Sequence, residues 1–140
     1  MPAPELLHTP VLSAVELTAR WSDLLEPPAF GARSLWLAWV GPDGLMLPLI
    51  TPIDDVPLRP DRALMPGLRH LHETVTEMKG AHHLAMALCR PGRPAVTTDD
   101  AGWAEALREE VGEHLGGPWS LHLAAGGSVL PLVNPPLVWE

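Results

Sequence analysis

Proline restricts this chain more than any other residue type, because 17 of the 140 residues are prolines. A proline has no amide donor and a fixed φ, so it ends helices and is excluded from central strands. The prolines predict an irregular arm at residues 1–10, a helix stop at Pro27-Pro28, loops at 52–61 and 90–96, and a tail at 134–140. Regular elements are therefore expected to be short and to lie between these segments.

Three segments have the apolar spacing of amphipathic helices. The first covers residues 14–25 and opens on a Ser-x-x-Glu capping box. The second covers 62–79, with Pro66 requiring a place in the first turn or so, where a missing amide does no harm. The third covers 99–115 and follows a threonine cap. Each predicted helix ends at proline or glycine.

Five short segments predict strands, at residues 34–40, 45–51, 83–89, 119–125 and 128–133. Trp36 and Trp39 fall on opposite faces of the first strand, and Pro48 predicts that the second lies at an edge or carries a bulge. Glycine-containing turns join the first two and the last two strands as hairpins. The order predicts an α/β (α+β) fold: one domain over residues 1–140, with a three-layer-like mixed sheet of about five strands and about three helices.

The composition narrows the classes of function. A net charge of −8 argues against binding to nucleic acid or to an anionic membrane surface. A single cysteine rules out a disulfide framework, and together with an N-terminus that lacks a secretory signal it predicts a cytoplasmic location. Abundant proline, alanine, glycine and arginine with little lysine is typical of a GC-rich genome such as an actinobacterial one.

The seven histidines do not have the spacing of a metal site. His70 and His72 point to nearly opposite sides of a helix, and adjacent histidines at the start of the third strand diverge in the same way. The chain has no H-x-x-x-H, C-x-x-C or H-E-x-x-H motif, no phosphate-binding glycine motif and no nucleophile elbow. We therefore predict no cofactor and no catalytic residue, and Asp100 and His122 are only weak candidates for metal ligands.

Other reactive groups have simpler interpretations. Cys89 ends an apolar strand and is predicted to be a small buried hydrophobe. Asp54-Asp55 is predicted to be a solvated loop pair and Asp99-Asp100 to stabilise a helix N-terminus, with a divalent cation as the alternative for each. An enzyme or metal-binding protein with an unrecognised site, built from Asp100, His122 and Cys89, stays open.

The third helix is strongly acidic, because residues 99–115 contain six acidic residues and one arginine. One interpretation is a solvated outer face, and the other is a docking face for a basic partner. The residues predicted to take part in an interaction are Glu105, Glu109, Glu110, Glu113 and, in the proline-containing tail, Trp139.

The order of elements resembles the RadC-type branch of the JAB/MPN (JAMM) fold. Residues 34–51 are similar to its opening hairpin, and a helix and an apolar strand follow in both. The segment 88–100 (LCRPGRPAVTTDD) resembles its metal loop, where a strand ends in His-x-His-Pro and a loop leads to Ser-x-x-Asp at a helix start. Residues 121–130 resemble its last strand pair. The resemblance covers residues 33–132 and implies a JAB/MPN (cytidine-deaminase-like) layout.

The metal ligands of that family are missing here. Its two zinc-binding histidines correspond to Leu88 and Arg90, and its Ser-x-x-Asp corresponds to Thr97 through Asp100, of which only Asp100 matches a ligand by type. The catalytic glutamate falls near Arg33 or Ser34, neither of which is acidic. One carboxylate cannot hold a catalytic zinc ion, so the resemblance implies the fold without the metallopeptidase activity.

The leading hypothesis from sequence is a non-catalytic interaction or scaffold domain that binds another protein or itself, for example as a homodimer. A small-molecule-binding module with a tryptophan-lined pocket is the remaining alternative.

Overall fold

The computed structural model describes residues 9–115 and 117–135. The helices are α1 (Ala14–Leu24), α2 (Met65–Lys79) and α3 (Thr98–Leu107). The strands are β1 (Ser34–Val40), β2 (Thr51–Asp54), β3 (His83–Cys89), β4 (Trp119–Ala125) and β5 (Ser128–Val133). The predicted mixed five-strand sheet with three helices is confirmed.

All five strands form one sheet in the order β2-β1-β3-β4-β5. Strand β1 is antiparallel to both of its neighbours, β3 and β4 are parallel, and β4 pairs antiparallel with β5. The parallel pair is connected through α3, as a parallel connection requires a crossover element. Gly126 and Gly127 form the β4–β5 turn with φ of 56° and 87°, a backbone region that glycine adopts without strain.

The sheet is covered on both faces, which makes three layers. Helices α2 and α3 pack on one face, where β1 contributes Leu35, Leu37 and Trp39. Helix α1 packs on the other face through Leu17 and Trp21. The second face of the sheet is lined with small side chains, namely Ala38, Ala85, Ala87, Cys89 and Ala124. Trp36 and Trp39 lie on opposite faces, because side chains alternate along a strand.

The predicted strand at residues 45–51 is wrong in its bounds. The pairing strand is Thr51–Asp54, and the preceding segment makes only an isolated bridge between Val40 and Met46. Pro48 has no amide to continue a ladder, so regular pairing is postponed until the chain has passed it. The strand that does form, β2, lies at the edge of the sheet and contains Pro52.

The second helix begins later than predicted and ends at the predicted residue, whereas the third begins within one residue of its predicted start but is regular α-helix only as far as Leu107. A short 3₁₀ turn, Arg62–Leu64, precedes α2, and Pro66 lies in the first turn of the helix, where its missing amide is harmless. Helix α3 passes after Leu107 into a π-helical turn, Arg108–Gly112, and then a short helix, Glu113–Leu115. The π turn places Gly112 directly against the indole of Trp119.

We expect Gly112→Ala to lower the free energy of unfolding by about 1–3 kcal/mol, as overpacking typically does. A methyl group at residue 112 would lie 2.5 Å from the Trp119 ring, so the indole or the π turn must move. Urea denaturation followed by circular dichroism measures the change.

Gly67→Ala in α2 is the matched control, because a methyl group there meets no atom within 4 Å. That substitution is expected to raise stability by about 0.5–1 kcal/mol, since alanine loses less backbone entropy in a helix than glycine does. Effects of the same sign at the two positions would contradict the close approach of Trp119.

Candidate functional site

Arg90 is the most fully bonded polar side chain of the described structure. It directly follows β3, where its amide still donates to the carbonyl of Ala124 on β4. Its side chain is only 6% exposed. Nε donates to Oδ1 of Asp100 at 2.8 Å and Nη2 to Oδ2 at 2.7 Å. A guanidinium can pair with a carboxylate in no better geometry than this two-pronged one.

The remaining donors of Arg90 hold the backbone of the segment that follows it. Nη1 donates to the carbonyls of Pro91 and Arg93 at 2.9 and 3.1 Å, and Nη2 to that of Ala95 at 2.8 Å. All five N–H groups of the guanidinium therefore have an acceptor. Residues 91–97, named here the Arg90 loop, are all exposed. The loop therefore faces solvent while the buried side chain of Arg90 holds its backbone.

Asp100 completes this arrangement at the start of α3. It is fully buried, and its Oδ2 also accepts from the amide of Thr97 at 2.9 Å. Its own amide donates to Oγ1 of Thr97 at 3.1 Å, which makes a capping box. Burial pushes the pKa of Asp100 upward, but the hydrogen bonds from Arg90 and Thr97 outweigh it and hold the pKa below its usual value. The pair is therefore charged at neutral pH.

The predicted metal-loop residues are brought together only in part. Arg90, Thr97 and Asp100 are in contact, whereas Leu88 lies in the core beneath α2 and α3. His122 belongs to the opposite face of the sheet, so the two weak metal candidates, Asp100 and His122, cannot share an ion. Among residues 9–115 and 117–135, no group of three or more His, Cys, Asp or Glu side chains could hold a metal ion.

His122 and His83 are buried histidines on neighbouring strands, β4 and β3. Nε2 of His122 lies 2.9 Å from Oγ1 of Thr18 on α1, and Nε2 of His83 lies 2.9 Å from Oγ of Ser120. Burial lowers the pKa of His122 to about 4. Burial, helped by the neighbouring imidazoles, lowers the pKa of His83 to about 3. Both are neutral at physiological pH. The sequence did not single out His83, although its place at the start of an apolar strand was visible.

Cys89 is fully buried on the α1 side of the sheet. Burial raises the pKa of its thiol to about 12, so the thiolate is not populated at neutral pH. The geometry agrees with a packing role for this residue. A nucleophilic role would require a depressed pKa.

The predicted acidic face of the third helix is largely neutralised by arginines. Glu109 and Glu110 each lie within 3.1 Å of Arg62, and Arg69 also donates to the backbone carbonyl of Glu110. Glu105 lies 3.6 Å from Arg108. The last glutamate of the predicted set, Glu113, has no ion pair in the part of the chain that the structure describes. Trp139 lies outside the described residues.

None of the helices in residues 9–115 and 117–135 combines the length and apolar character needed to cross a bilayer. A scan against models of protein families, a search of curated proteins and a search of solved structures each found no match for this chain.

Proposed function

We propose that this chain is a non-catalytic domain of the cytoplasm that presents the Arg90 loop to a protein partner, with the layout of an inactive JAB/MPN domain. The observation that carries the proposal is the saturated, buried pair of Arg90 and Asp100. Both residues stand where the resemblance places metal ligands. All five donors of Arg90 bond within the chain, and both carboxylate oxygens of Asp100 accept hydrogen bonds within it.

In this proposal the pair replaces the family's metal ion as the link between neighbouring segments. It connects the end of β3, the Arg90 loop and the N-terminus of α3, as a bound cation would by ligation. A guanidinium whose five donors are occupied cannot activate water or polarise a substrate. The other chemically active candidates, Cys89 and His122, are fully buried on the other face.

The Arg90 loop has the properties of a preorganised binding loop. Three of its carbonyls are held by one buried side chain, so little backbone entropy remains to be lost on binding. Pro94 packs against the β4–β5 turn so closely that a methyl group at Gly126 would lie 2.6 Å from it. Val96, 52% exposed, and Arg93 project from the loop as an apolar and a cationic contact.

The test exchanges exposed residues of the loop and leaves its buried anchor intact. Arg93→Glu with Val96→Asp is compared with Lys79→Glu with Met78→Asp, a pair at the opposite end of β3 that makes the same change in charge. Met78 is 72% exposed. Each chain is immobilised, exposed to an extract of the native host, and analysed by quantitative mass spectrometry. A protein retained by the unsubstituted chain and by the control, but lost with the loop variant, is expected.

Light scattering during size-exclusion chromatography distinguishes a second copy of the chain as the partner. A dimer that the loop variant dissociates would identify self-association through this loop. A strict monomer that retains no protein in a loop-dependent manner would contradict the proposal.

A further inference from the structure

A pocket of about 340 Å³ lies beside the start of β1, on the α1 side of the sheet. Its walls include Phe30, Arg33, Ser34, Trp36, Asp54 and Asp55. Ser34 and Asp54 face each other across the β1–β2 pair, so the sheet forms the floor and the segment before β1 forms a side wall. The volume lies within the range of small-molecule sites in proteins.

Arg33 has a bonding pattern opposite to that of Arg90. Its Nε and Nη2 atoms are buried and have no hydrogen-bond partner within the described structure. These are the two donors with which Arg90 holds the carboxylate of Asp100. No carboxylate of residues 9–115 and 117–135 pairs with Arg33. A charged donor enclosed without an acceptor is costly, and a carboxylate is the group whose geometry matches this edge.

The other charged groups of the pocket have the opposite sign. Asp54 and Asp55 are exposed and make no ion pair among the described residues. Two carboxylates at the wall repel a simple anion and attract a cation, so Arg33 alone does not determine which ligand fits. A ligand that carries one carboxylate and one ammonium group satisfies both sets of charges.

The rest of the wall is aromatic. The indole Nε1 of Trp36 donates to Oγ of Ser34 at 3.1 Å, which fixes the ring. Trp36 and Phe30 are partly buried side chains at the border of the α1-side core. They provide an apolar surface of the kind that lines small-molecule sites.

We propose that this pocket binds a small zwitterion, an α-amino acid with an apolar or aromatic side chain. Its carboxylate pairs with the Nε/Nη2 edge of Arg33, its ammonium group with Asp54 and Asp55, and its side chain lies against Phe30 and Trp36. Nε and Nη2 of Arg33 are buried in the free chain, although the residue lines the pocket. Binding therefore requires the guanidinium to rotate so that these two donors face the ligand. The site is separate from the Arg90 loop and does not depend on the proposed protein partner.

Isothermal titration calorimetry with L-phenylalanine, phenylacetate and phenethylamine tests the proposal on the unsubstituted chain. Phenylalanine is expected to bind at one saturable site in the millimolar range or below. Each analogue lacks one of the two charged groups and is expected to bind roughly tenfold more weakly or worse, the ordinary cost of losing a charged hydrogen bond. Absence of saturable binding by phenylalanine, or equal binding by phenylacetate, would overturn the zwitterion site.

Variants locate the binding. Arg33→Met is expected to weaken phenylalanine binding by roughly tenfold or more, whereas Arg59→Met, at an exposed loop position, is expected to leave it unchanged. Asp54→Asn with Asp55→Asn is expected to remove the preference for phenylalanine over phenylacetate. Asparagine is suited to residue 55, whose φ is 59°. Undiminished binding by Arg33→Met would place the ligand elsewhere and refute the assignment.

Folding does not limit this test. Arg33→Met removes two buried donors that have no partner among residues 9–115 and 117–135, so its thermal midpoint is expected to equal or exceed that of the unsubstituted chain. The comparison of the three ligands on the unsubstituted chain is decisive even without the variants.

Discussion

Replacing Arg90 by leucine is expected to lower the free energy of unfolding by about 3–5 kcal/mol, the usual cost of leaving one partner of a buried ion pair uncompensated. Asp100 would remain fully buried and keep only the amide of Thr97 as a donor. The carbonyls of Pro91, Arg93 and Ala95 would lose the hydrogen-bond donors of the Arg90 guanidinium. Urea denaturation monitored by tryptophan fluorescence measures the loss.

Two further variants show whether the loss belongs to the pair. Combining Arg90→Leu with Asp100→Asn removes the orphaned charge, so we expect the double variant to be more stable than the sum of the single changes predicts. Arg62→Leu removes an arginine that is exposed in its contacts with Glu109 and Glu110 and should have little effect. If Arg90→Leu were as stable as Arg62→Leu, the buried pair would not be what organises the loop.

Hydrogen exchange separates the local role of Arg90 from its contribution to global stability. In Arg90→Leu at low temperature, the amides of the Arg90 loop and the first turn of α3 are expected to exchange faster, relative to the amides of β3 and β4, than in the unsubstituted chain. Uniform acceleration over the whole chain would indicate that Arg90 contributes only to the global free energy.

Acidification from pH 7.5 to pH 5 is expected to lower the free energy of unfolding by about 4 kcal/mol, roughly 2 kcal/mol from each of His83 and His122. The folded pKa values of about 3 and about 4 lie below the ordinary value of 6.5. Above pH 6.5 neither state binds a proton at these residues, so they make no pH-dependent contribution. Below pH 6.5 the unfolded chain takes up protons that the folded chain refuses, and stability falls until the folded pKa is reached.

The loss of stability between pH 7.5 and pH 5 is expected to come mainly from buried histidines. Burial also lowers the pKa of His72, whose Nδ1 accepts from the indole of Trp39 at 3.1 Å, so His72 adds to the loss in the same direction. Asp100 acts at lower pH, because its folded pKa lies below the ordinary value of 3.8 and its contribution is lost only as pH falls through that region.

Urea denaturation at a series of pH values, with two histidine variants, checks the assignment. His122→Gln is expected to reduce the loss between pH 7.5 and pH 5 by about 2 kcal/mol, since its titration is removed. His70→Gln, at an exposed position of α2, is expected to leave the loss unchanged. A pH profile of His122→Gln that coincides with that of the unsubstituted chain would show that His122 is not buried in its neutral form.

The elements that sequence predicted well are those whose signal is local. The strands at 83–89, 119–125 and 128–133 have the predicted bounds, because apolar runs between glycine and proline leave little freedom in where a strand begins and ends. The strand predicted at 45–51 was misplaced, because strand formation depends on pairing with β1, and hydrophobicity alone does not reveal which residues achieve that register.

The candidate sites depend on contacts that a linear pattern does not contain. The threonine cap before α3 and the placement of Asp99 and Asp100 at a helix N-terminus were readable, since capping involves residues three positions apart. That Arg90 would turn inward and meet Asp100 was not readable, because arginine is ordinarily exposed and its burial requires a preorganised set of acceptors.

The sequence by itself determined the α+β class, the positions of most elements and the absence of a recognisable metal motif, because these follow from residue spacing and from the short-range chemistry of proline, glycine and helix caps. The tertiary structure alone decided which side chains share a face of the sheet. It separated Asp100 from His122, paired Glu109 and Glu110 with Arg62 and Arg69, and left Nε and Nη2 of Arg33 without an acceptor among the described residues. The physical reason is that burial and pairing are properties of packed surfaces, and distant segments acquire them only when the sheet brings them together.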